Sequence, residues 1–208
     1  MFFNPISYIL EENVGTARLK QSLDVLFKHL EQHTCLKFEK ADNVNTKEDY
    51  HTIRIKYRDP GWCGIEEKYV GILRNQTYHE INLSWYCLDN WYIGRVLMHV
   101  FGLPHEMNRP DRDDFIYIFT HDKMWDDAFD QLSVMNYEFD DFQRDPNIPT
   151  ILPLSADINP INFGKNRKYK DLTHPDEFPF TKFDLYKLIM LICRPTITSI
   201  MKGSITTG

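Results

Sequence analysis

Two histidines near the middle of this chain have the spacing of metal ligands. His99 lies at the end of an apolar stretch, and His105 follows it six residues later, beyond Gly102. Glycine tolerates a positive φ, so the chain can turn between the two imidazoles and let both approach one ion. A catalytic zinc site combines about three protein ligands with one water, and histidine is a frequent ligand. The pattern therefore indicates part of a metal site that would activate water.

The segment around these histidines resembles the extended zinc signature of the metzincin proteases, His-Glu-x-x-His-x-x-Gly-x-x-His. His99 and His105 match its middle and last histidines, and Gly102 matches its glycine. Residues 105–113 read His-Glu-x-x-Arg-x-Asp-Arg-Asp, which is similar to the astacin family within that group. The resemblance implies a zinc endopeptidase in which three histidines hold the metal and the glutamate takes a proton from the bound water.

The other two positions of the signature hold different residues. Its first histidine corresponds to Arg95 and its general-base glutamate to Val96. A guanidinium is always charged, and Arg95 lies one helical turn before His99, where it would repel a divalent cation. A valine cannot accept a proton. We therefore predict that no catalytic residue is intact, that zinc is absent or weakly bound by the residual ligands, and that the chain is a pseudoprotease. The alternative for both histidines is a buried side chain hydrogen-bonded to its neighbours.

A second motif, Ser133–Tyr137, resembles the Met-turn of the family, Ser-x-Met-His-Tyr, with Asn136 in place of its histidine. The resemblance implies that Tyr137 is a candidate metal ligand and transition-state stabiliser. It also implies that Met135 forms a hydrophobic floor beneath the metal.

Charged residues follow His105 directly. In astacins the glutamate that corresponds to Glu106 is buried and pairs with the mature N-terminus. This chain begins close to its first predicted strand, so we expect a structural role for Glu106 without relying on that pairing. Residues 109–113 include two arginines and two aspartates, and their register with the family favours a structural ion-pair network over a solvated run of charge.

Hydrophobic periodicity predicts the elements around these motifs. Asn4–Leu10 and the alternating stretch His51–Tyr57 are typical of strands. After Thr16, a candidate N-cap, a helix should bury one apolar face. Thr181–Cys193 should form a last helix. The members of the first helical face are Leu19, Leu23, Leu26, Phe27 and Leu30, and those of the last are Phe183, Leu185, Leu188, Ile189 and Ile192.

The resemblance to astacins extends over about residues 4–193 and implies an α+β fold, an astacin/metzincin-like catalytic domain. We expect a single domain with two lobes. The N-terminal lobe, residues 1–105, should hold a mixed twisted sheet, long helices and the active-site helix. The C-terminal lobe, residues 106–208, should be irregular, carry the Met-turn and end in a helix.

The four cysteines are Cys35, Cys63, Cys87 and Cys193, and their spacing makes neither a zinc ribbon nor a Cys-x-x-Cys pair. By themselves they could be buried thiols or two disulfides. In astacins the outer two and the inner two pair, which implies Cys35–Cys193 and Cys63–Cys87. Such a framework belongs to an oxidising compartment, so we expect a secreted, extracellular protein.

Composition restricts the partners. A net charge of -6 argues against nucleic acid or an anionic membrane surface, and no apolar run approaches the length of a membrane span. We expect a monomer. The triplets Asn75-Gln76-Thr77 and Asn82-Leu83-Ser84 are candidate N-glycosylation acceptors.

Three functions are compatible with the sequence. The first is an inactive astacin-fold protein that binds a peptide or protein in its residual cleft, with the predicted edge Ile81–Trp85 accepting an extended segment. The second is an active zinc endopeptidase that recruits an atypical ligand, such as Asp89 or Asp113. The third is a structural or antigenic secreted scaffold without a ligand.

Overall fold

The computed structural model describes residues 5–11, 17–43, 51–58, 61–65, 71, 78–118, 133–137, 150–159 and 178–193. The chain divides into two compact units. The first unit is Met1–Leu103 together with Leu185–Gly208, and the second is Pro104–Asp184. The lobe boundary at residues 105 and 106 stays a prediction. Helices and a sheet in one chain agree with the predicted α+β class.

A four-stranded sheet lies in the first unit, in the order β2-β1-β3-β4 with every adjacent pair parallel. The predicted strand His51–Tyr57 is confirmed, and the strand predicted from Asn4 begins at Ile6, Asn4 itself lying outside the described residues. The strands are β1 (Ile6–Leu10), β2 (Phe38–Lys40), β3 (Thr52–Tyr57) and β4 (Tyr78–Leu83).

One face of this sheet packs on helix α1 (Ala17–His33). Tyr8 of β1 places its ring 4.8 Å from that of Phe27 in the helix, and Phe27 stacks on Phe38 of β2 at 4.2 Å. The predicted apolar face of α1 is confirmed, because all five of its residues are buried. Thr16, its candidate N-cap, lies outside the described residues.

The opposite face of the sheet is polar, because side chains alternate along a strand. Lys56 reaches Glu80 on the neighbouring strand at 2.6 Å and Glu11 at 3.6 Å. The guanidinium carbon of Arg54 lies over the ring of Tyr78, 5.2 Å from its centroid. The sheet therefore has one face in the core and one face that carries ion pairs.

The outer edge of β4 is partly covered, so less of the predicted edge Ile81–Trp85 can accept an extended segment. Gly64 pairs with Asn82 in an antiparallel bridge, with N–H···O distances of 2.8 and 2.9 Å. The Cys87 N–H donates to the Ser84 carbonyl at 3.1 Å. Asn82 is only 9% exposed, so it is also a poor glycosylation acceptor, whereas Asn75 lies outside the described residues.

Helix α2 (Asn90–Val100) begins at the N-cap Asp89, whose carboxylate accepts the N–H of Tyr92 at 2.8 Å. It ends as the sequence predicts, with Gly102 at a φ of +99°. A Cβ at Gly102 would lie 3.2 Å from the Cα of Gly71, whose N–H donates to the His99 carbonyl at 2.9 Å. Both the turn and this close approach require glycine.

The second unit contains short elements. Two 3₁₀ turns, Glu106–Asn108 and Arg112–Asp114, precede β5 (Ile116–Ile118), which pairs antiparallel with β6 (Ile151–Pro153). A small buried cluster holds them, with Phe115 and Tyr137 packed against it. The buried members are Met107, Ile116 and Ile151.

The last helix, α3 (Lys182–Leu188), continues as a π-helical turn, Ile189–Cys193. Phe183 was predicted in its buried face and is 55% exposed, so that prediction is wrong. The neighbouring Asp184 is fully buried, and its carboxylate accepts a hydrogen bond from Ser133, which lies in the same unit.

Both predicted disulfides are confirmed. Cys35, after α1, bonds Cys193 at the end of the last helix, 158 residues later. Cys63 bonds Cys87, which ties the segment that carries Gly64 to the 3₁₀ turn after β4. The long bridge closes nearly the whole chain, and bridges over long loops constrain the unfolded state most.

Candidate active site and its hydrogen bonds

Helix α2 carries three of the predicted site residues. Arg95 and Val96 are buried, at 6% and 3% exposure, and His99 is partly exposed. The guanidinium carbon of Arg95 lies over the ring of Trp91, one turn earlier, at 5.3 Å from the centroid. Trp91, Arg95 and His99 recur every four residues, so they form one stripe along the helix.

His99 is held by the turn that follows its own helix. Its Nδ1 lies 3.0 Å from the carbonyl oxygen of Leu103. A carbonyl only accepts, so Nδ1 carries the proton and Nε2 keeps its lone pair. Burial first, and the charge of Arg95 second, lower the pKa of His99 to about 4, opposed by the bond to Leu103. The imidazole is therefore neutral at pH 7.

In the second unit, the structure brings His105, Met135 and Tyr137 together, as the resemblance implied. His105 Nδ1 donates to the Met135 carbonyl at 3.2 Å, and the Tyr137 hydroxyl lies 3.1 Å from His105 Nε2. Because Nδ1 holds the ring proton, Tyr137 is the donor in the second bond. The N–H of Glu106 donates to the same Met135 carbonyl at 3.1 Å. Met135 is buried, but its role as a floor beneath a metal stays a prediction.

The two histidines share one hydrogen-bonding arrangement, although each belongs to a different unit. In both, Nδ1–H donates to a backbone carbonyl and Nε2 is the remaining nitrogen. Histidines that bind metals commonly donate their second N–H in this way, which sets the tautomer and the ring orientation. The same bonds also fit the alternative of two histidines hydrogen-bonded to their neighbours, so the role of both as residual metal ligands stays a prediction.

Asp184 anchors the turn that carries Met135, and sequence reasoning missed it. Its carboxylate accepts bonds from the Ser133 hydroxyl at 2.5 Å, the Val134 N–H at 3.2 Å and the Thr181 N–H at 3.0 Å. The Thr181 hydroxyl accepts the Asp184 N–H at 3.0 Å, which completes a reciprocal capping pair. The Thr-x-x-Asp spacing before an apolar run was a usable signal for the cap, but not for its bond to the turn.

The charged run after His105 forms an ion-pair network, as predicted, in which the arginines are buried, Asp111 is half-buried and Asp113 is exposed. Arg109 is buried and bonds both oxygens of Asp111, at 3.0 and 2.9 Å, while its Nε lies 3.5 Å from the carboxylate of the equally buried Glu106. Arg112, also buried, donates to the Met107 carbonyl at 3.0 Å. The network therefore has a structural role, since its arginines hold backbone and carboxylate groups in place.

A buried histidine pair in the sheet was also missed. His51 Nε2 lies 2.6 Å from His79 Nδ1, and both residues are almost fully buried. One precedes β3 and the other lies in β4, so they meet only because of the strand register. Nothing in the local sequence of either histidine could have indicated the contact.

The two atypical ligands considered from the sequence are engaged elsewhere. Asp89 caps α2, and burial raises the pKa of its carboxyl against the hydrogen bonds of the helix N-terminus. The Asp113 side chain is 56% exposed and lies 3.3 Å from Arg112. Within the ranges that the structure describes, no group of three or more His, Cys, Asp or Glu side chains could hold a metal ion.

The donor set does not fit a catalytic zinc ion. Such a site needs about three protein ligands and an open position. His99 and His105 offer one nitrogen each, and Tyr137 offers a phenol that already donates to His105. Arg95 contributes a charge of the wrong sign beside His99. In the described part of the chain, His99 and His105 each have a hydrogen bond of the kind that orients zinc ligands, but no group of three ligands is found.

The comparisons with known proteins identify the family of this chain. The profile of the peptidase family described as Astacin matches residues 3–126. The chain therefore belongs to the astacin family.

Individual relatives agree with this assignment. The chain is 27% identical over 214 residues to zinc metalloproteinase nas-9 of Caenorhabditis elegans, covering 93% of this chain and 35% of that protein. It is 32% identical over 177 residues to tolloid-like protein 1 of Homo sapiens, covering 75% and 16%. The chain thus spans only about a third or less of the length of these relatives.

A solved structure shows the same fold. It is that of high choriolytic enzyme 1, a hatching enzyme zinc-protease from Oryzias latipes (medaka fish). The TM-score is 0.65 at 18% identity, over 89% of this chain and 88% of the other. At this identity the likeness concerns the fold alone, and it confirms the astacin-like α+β architecture.

Proposed function

We propose that this chain is a catalytically inactive astacin-family domain that acts by binding a peptide or protein segment in the cleft where the family binds its substrates. The family implies zinc peptidase chemistry. The observation that carries the proposal of inactivity is the pair Arg95–Val96 on α2, at the places of the first zinc histidine and the general base.

Val96 removes the proton acceptor. It is buried and packs as a core residue, so neither its chemistry nor its position allows it to take a proton from water. Loss of a positioned general base typically lowers a rate by about 10²–10⁴-fold. No acidic side chain follows it on α2, whose remaining residues up to Val100 are Leu97, Met98 and His99.

The positive charge of Arg95 would repel a bound zinc ion. A unit charge about 4 Å from a divalent cation would repel it by roughly 8 kcal/mol at an effective dielectric constant of about 20. The buried position of Arg95 limits screening by water, although the long side chain could swing to a greater distance. We therefore expect zinc to be absent or weakly bound, and we assign it no step in a mechanism.

Secretion is part of the proposal. Two disulfides support an oxidising compartment. In the described part of the chain, no helix has both the length and the apolar character needed to span a bilayer. We expect a monomer that meets its peptide or protein ligand outside the cell, without nucleic acid or membrane as a partner.

Binding by strand addition requires a free edge, and β4 does not provide one at Asn82. The segment that carries Gly64 lies outside β4 and is fixed by the Cys63–Cys87 disulfide. The proposal therefore does not rely on the edge Ile81–Trp85.

The test combines metal analysis with hydrolysis and binding assays. Protein refolded or secreted with its disulfides should contain less than one equivalent of zinc and should not cleave a quenched fluorescent hexapeptide pool, with or without added zinc. The same pool, made uncleavable and labelled, should bind. An active astacin serves as the positive control for cleavage. Chelator-sensitive turnover that persists through repurification would establish the active enzyme instead, and failure to bind any peptide would favour the scaffold.

A further inference from the structure

Three aromatic side chains beside the outer edge of β4 are exposed to an unusual extent. Trp85, Tyr86 and Trp62 are 66%, 51% and 49% exposed. Tryptophan is highly buried on average, and single exposed apolar residues need no explanation, whereas a cluster of them on the surface marks a site of interaction. We call these three residues the aromatic patch.

Covalent and polar contacts hold the aromatic patch together. The Cys63–Cys87 disulfide joins the two parts of the chain that carry the patch, and the Tyr86 hydroxyl donates to the Gly61 carbonyl at 3.1 Å. The rings of Trp85 and Tyr86 have centroids 5.7 Å apart and planes at 82°, so together they form a corner. Because these contacts restrain the patch before a ligand arrives, binding there loses little conformational entropy.

The side chains around the aromatic patch offer hydrogen-bond donors and few acceptors. Its two segments, residues 61–65 and 84–88, contain no Asp, Glu, Asn, Gln, Lys, Arg or His. An indole has one N–H donor and no acceptor. Three backbone carbonyls of these segments already accept hydrogen bonds, those of Gly61, Gly64 and Ser84. The patch therefore suits a neutral ligand that is rich in acceptors and poor in donors.

Two other kinds of ligand fit this description less well. An added β-strand pairs through its N–H groups as well as its carbonyls, and Gly64 already covers the edge of β4 at Asn82. The hydroxyls of a neutral glycan both donate and accept, and neither segment of the patch has a carboxylate or amide side chain to accept from them. A polyproline II segment has no internal hydrogen bonds, so its carbonyls are open to donors, and its prolines lack an N–H.

From this match of donors and acceptors, we infer that the aromatic patch binds a neutral, proline-rich peptide segment in the polyproline II conformation. The pyrrolidine rings pack on the faces of Trp62, Trp85 and Tyr86, and the indole N–H groups donate to carbonyls of the ligand. Aromatic residues recognise proline-rich segments in this way, and the preformed helix of the ligand lowers the entropy cost. The inference goes beyond the proposed binding in the cleft, because it uses different residues and either can fail alone.

The experiment titrates the full, oxidised chain with three neutral probes in a calorimeter. The probes are N-acetylated and amidated decaproline, a Gly/Ser decapeptide with the same ends, and a neutral glucose hexasaccharide. We expect decaproline to bind about tenfold or more tightly than the Gly/Ser peptide. Equal binding of the two peptides, or binding of the saccharide alone, overturns the inference. Neither result bears on the uncleavable hexapeptide pool, whose binding tests the proposed function.

Variants assign the binding to the aromatic patch. Trp85→Ala and Trp62→Ala should each weaken the binding of decaproline by about tenfold or more, since a tryptophan that anchors a ligand contributes much of its affinity. Trp85→Phe keeps an aromatic face without the N–H donor, so it should lose only part of the affinity.

The matched control is Phe183→Ala, because Phe183 on α3 is similarly exposed and lies outside the patch. Its affinity for decaproline should equal that of the unchanged protein. An affinity that survives Trp85→Ala, or that falls equally in Phe183→Ala, overturns the assignment. If an alanine variant does not fold, Trp85→Phe and the comparison of probes on the unchanged protein still decide it.

Discussion

Helix α2 in the first unit and the turn Ser133–Tyr137 in the second unit differ in what they keep of an astacin site. The turn retains a full set of bonds around His105, from Met135, Tyr137 and, through Ser133, Asp184. On α2, His99 has a bond to the Leu103 carbonyl. Arg95 lies over the ring of Trp91, and Val96 is buried in the core.

This difference has a physical reason. The hydrogen bonds of the turn also satisfy buried polar groups, so removing any one of them would leave an unpaired donor or acceptor and destabilise the fold. On α2, Val96 is an apolar residue of the core, so a change at this position leaves no buried polar group unpaired and the helix remains intact. Residues that contribute only to catalysis are thus more easily replaced than residues that also stabilise the fold.

Placing the family's zinc histidine and general-base glutamate on α2 should give the largest effect, measured as zinc binding and peptide cleavage. Arg95→His should restore zinc binding without measurable cleavage, because Val96 still offers no base. Adding Val96→Glu should raise chelator-sensitive cleavage of peptides by about 10²–10⁴-fold over the single variant. Metal analysis and a fluorescent peptidase assay measure the two steps. A folded double variant that binds no zinc would mean that His99, His105 and Tyr137 do not converge, and the comparison between the two regions would then lose its basis.

The second-largest effect should come from replacing Asp184, which anchors the turn Ser133–Tyr137. Asp184→Ala removes three accepted hydrogen bonds, two of them from the buried residues Ser133 and Val134, so the free energy of unfolding should fall by roughly 3–5 kcal/mol. Urea unfolding of the oxidised protein measures it. Asp157→Ala, at an exposed position, is the control and should change stability by less than about 0.5 kcal/mol. A small effect at Asp184 would show that the turn does not depend on its anchor.

Acid should affect α2 through His99. Its folded pKa of about 4 lies below the 6.5 of the unfolded chain, so the unfolded state binds the proton more tightly. The resulting stability is complete above about pH 6.5 and is lost as the pH falls towards 4, by up to roughly 3 kcal/mol.

Burial and the neighbouring His33 lower the pKa of His29 on α1 to about 4 as well. His99→Gln should therefore remove only part of the pH dependence of urea unfolding between pH 6.5 and 4, about half of it if the two shifts contribute equally. Lys28→Gln, at an exposed position of α1, is the control, because a lysine does not titrate in this range and its loss should leave the slope unchanged. An unaltered slope in His99→Gln would contradict the pKa assignment.

The smallest effect should come from one hydroxyl. Tyr137→Phe removes the donor to His105 Nε2, and one such bond contributes about 1 kcal/mol to the free energy of unfolding. Tyr86→Phe is the matched control, because the exposed hydroxyl of Tyr86 donates to the Gly61 carbonyl at 3.1 Å. It should lower the free energy of unfolding by less than Tyr137→Phe does. Equal losses in urea unfolding would mean that the His105 support is no stronger than a surface bond.

Much of the fold follows from local sequence alone. The 3.6-residue apolar period predicted the buried face of α1, and the glycine after α2 predicted a positive φ. Local chemistry decides these features, because each depends on residues within one or two turns. The chemistry of Val96 is likewise visible in the sequence, since a valine lacks a proton acceptor in any fold, whereas its place at the family's general base is part of the proposal. The family register of the cysteines predicted both disulfides, although their spacing by itself left the pairing open.

Tertiary structure decided the features that depend on distant partners. The coverage of Asn82 by Gly64, the contact of His51 with His79, and the burial of Asp184 all join segments far apart in the chain. At these positions, the strand register and the hydrogen bonds that buried polar groups require decide which residues are buried, and local hydrophobicity does not. The sequence alone thus determined which chemical groups the site possesses. Only the packed structure determined which of those groups are bound, covered or held in place, because hydrogen bonds between distant segments exist only after the chain has folded.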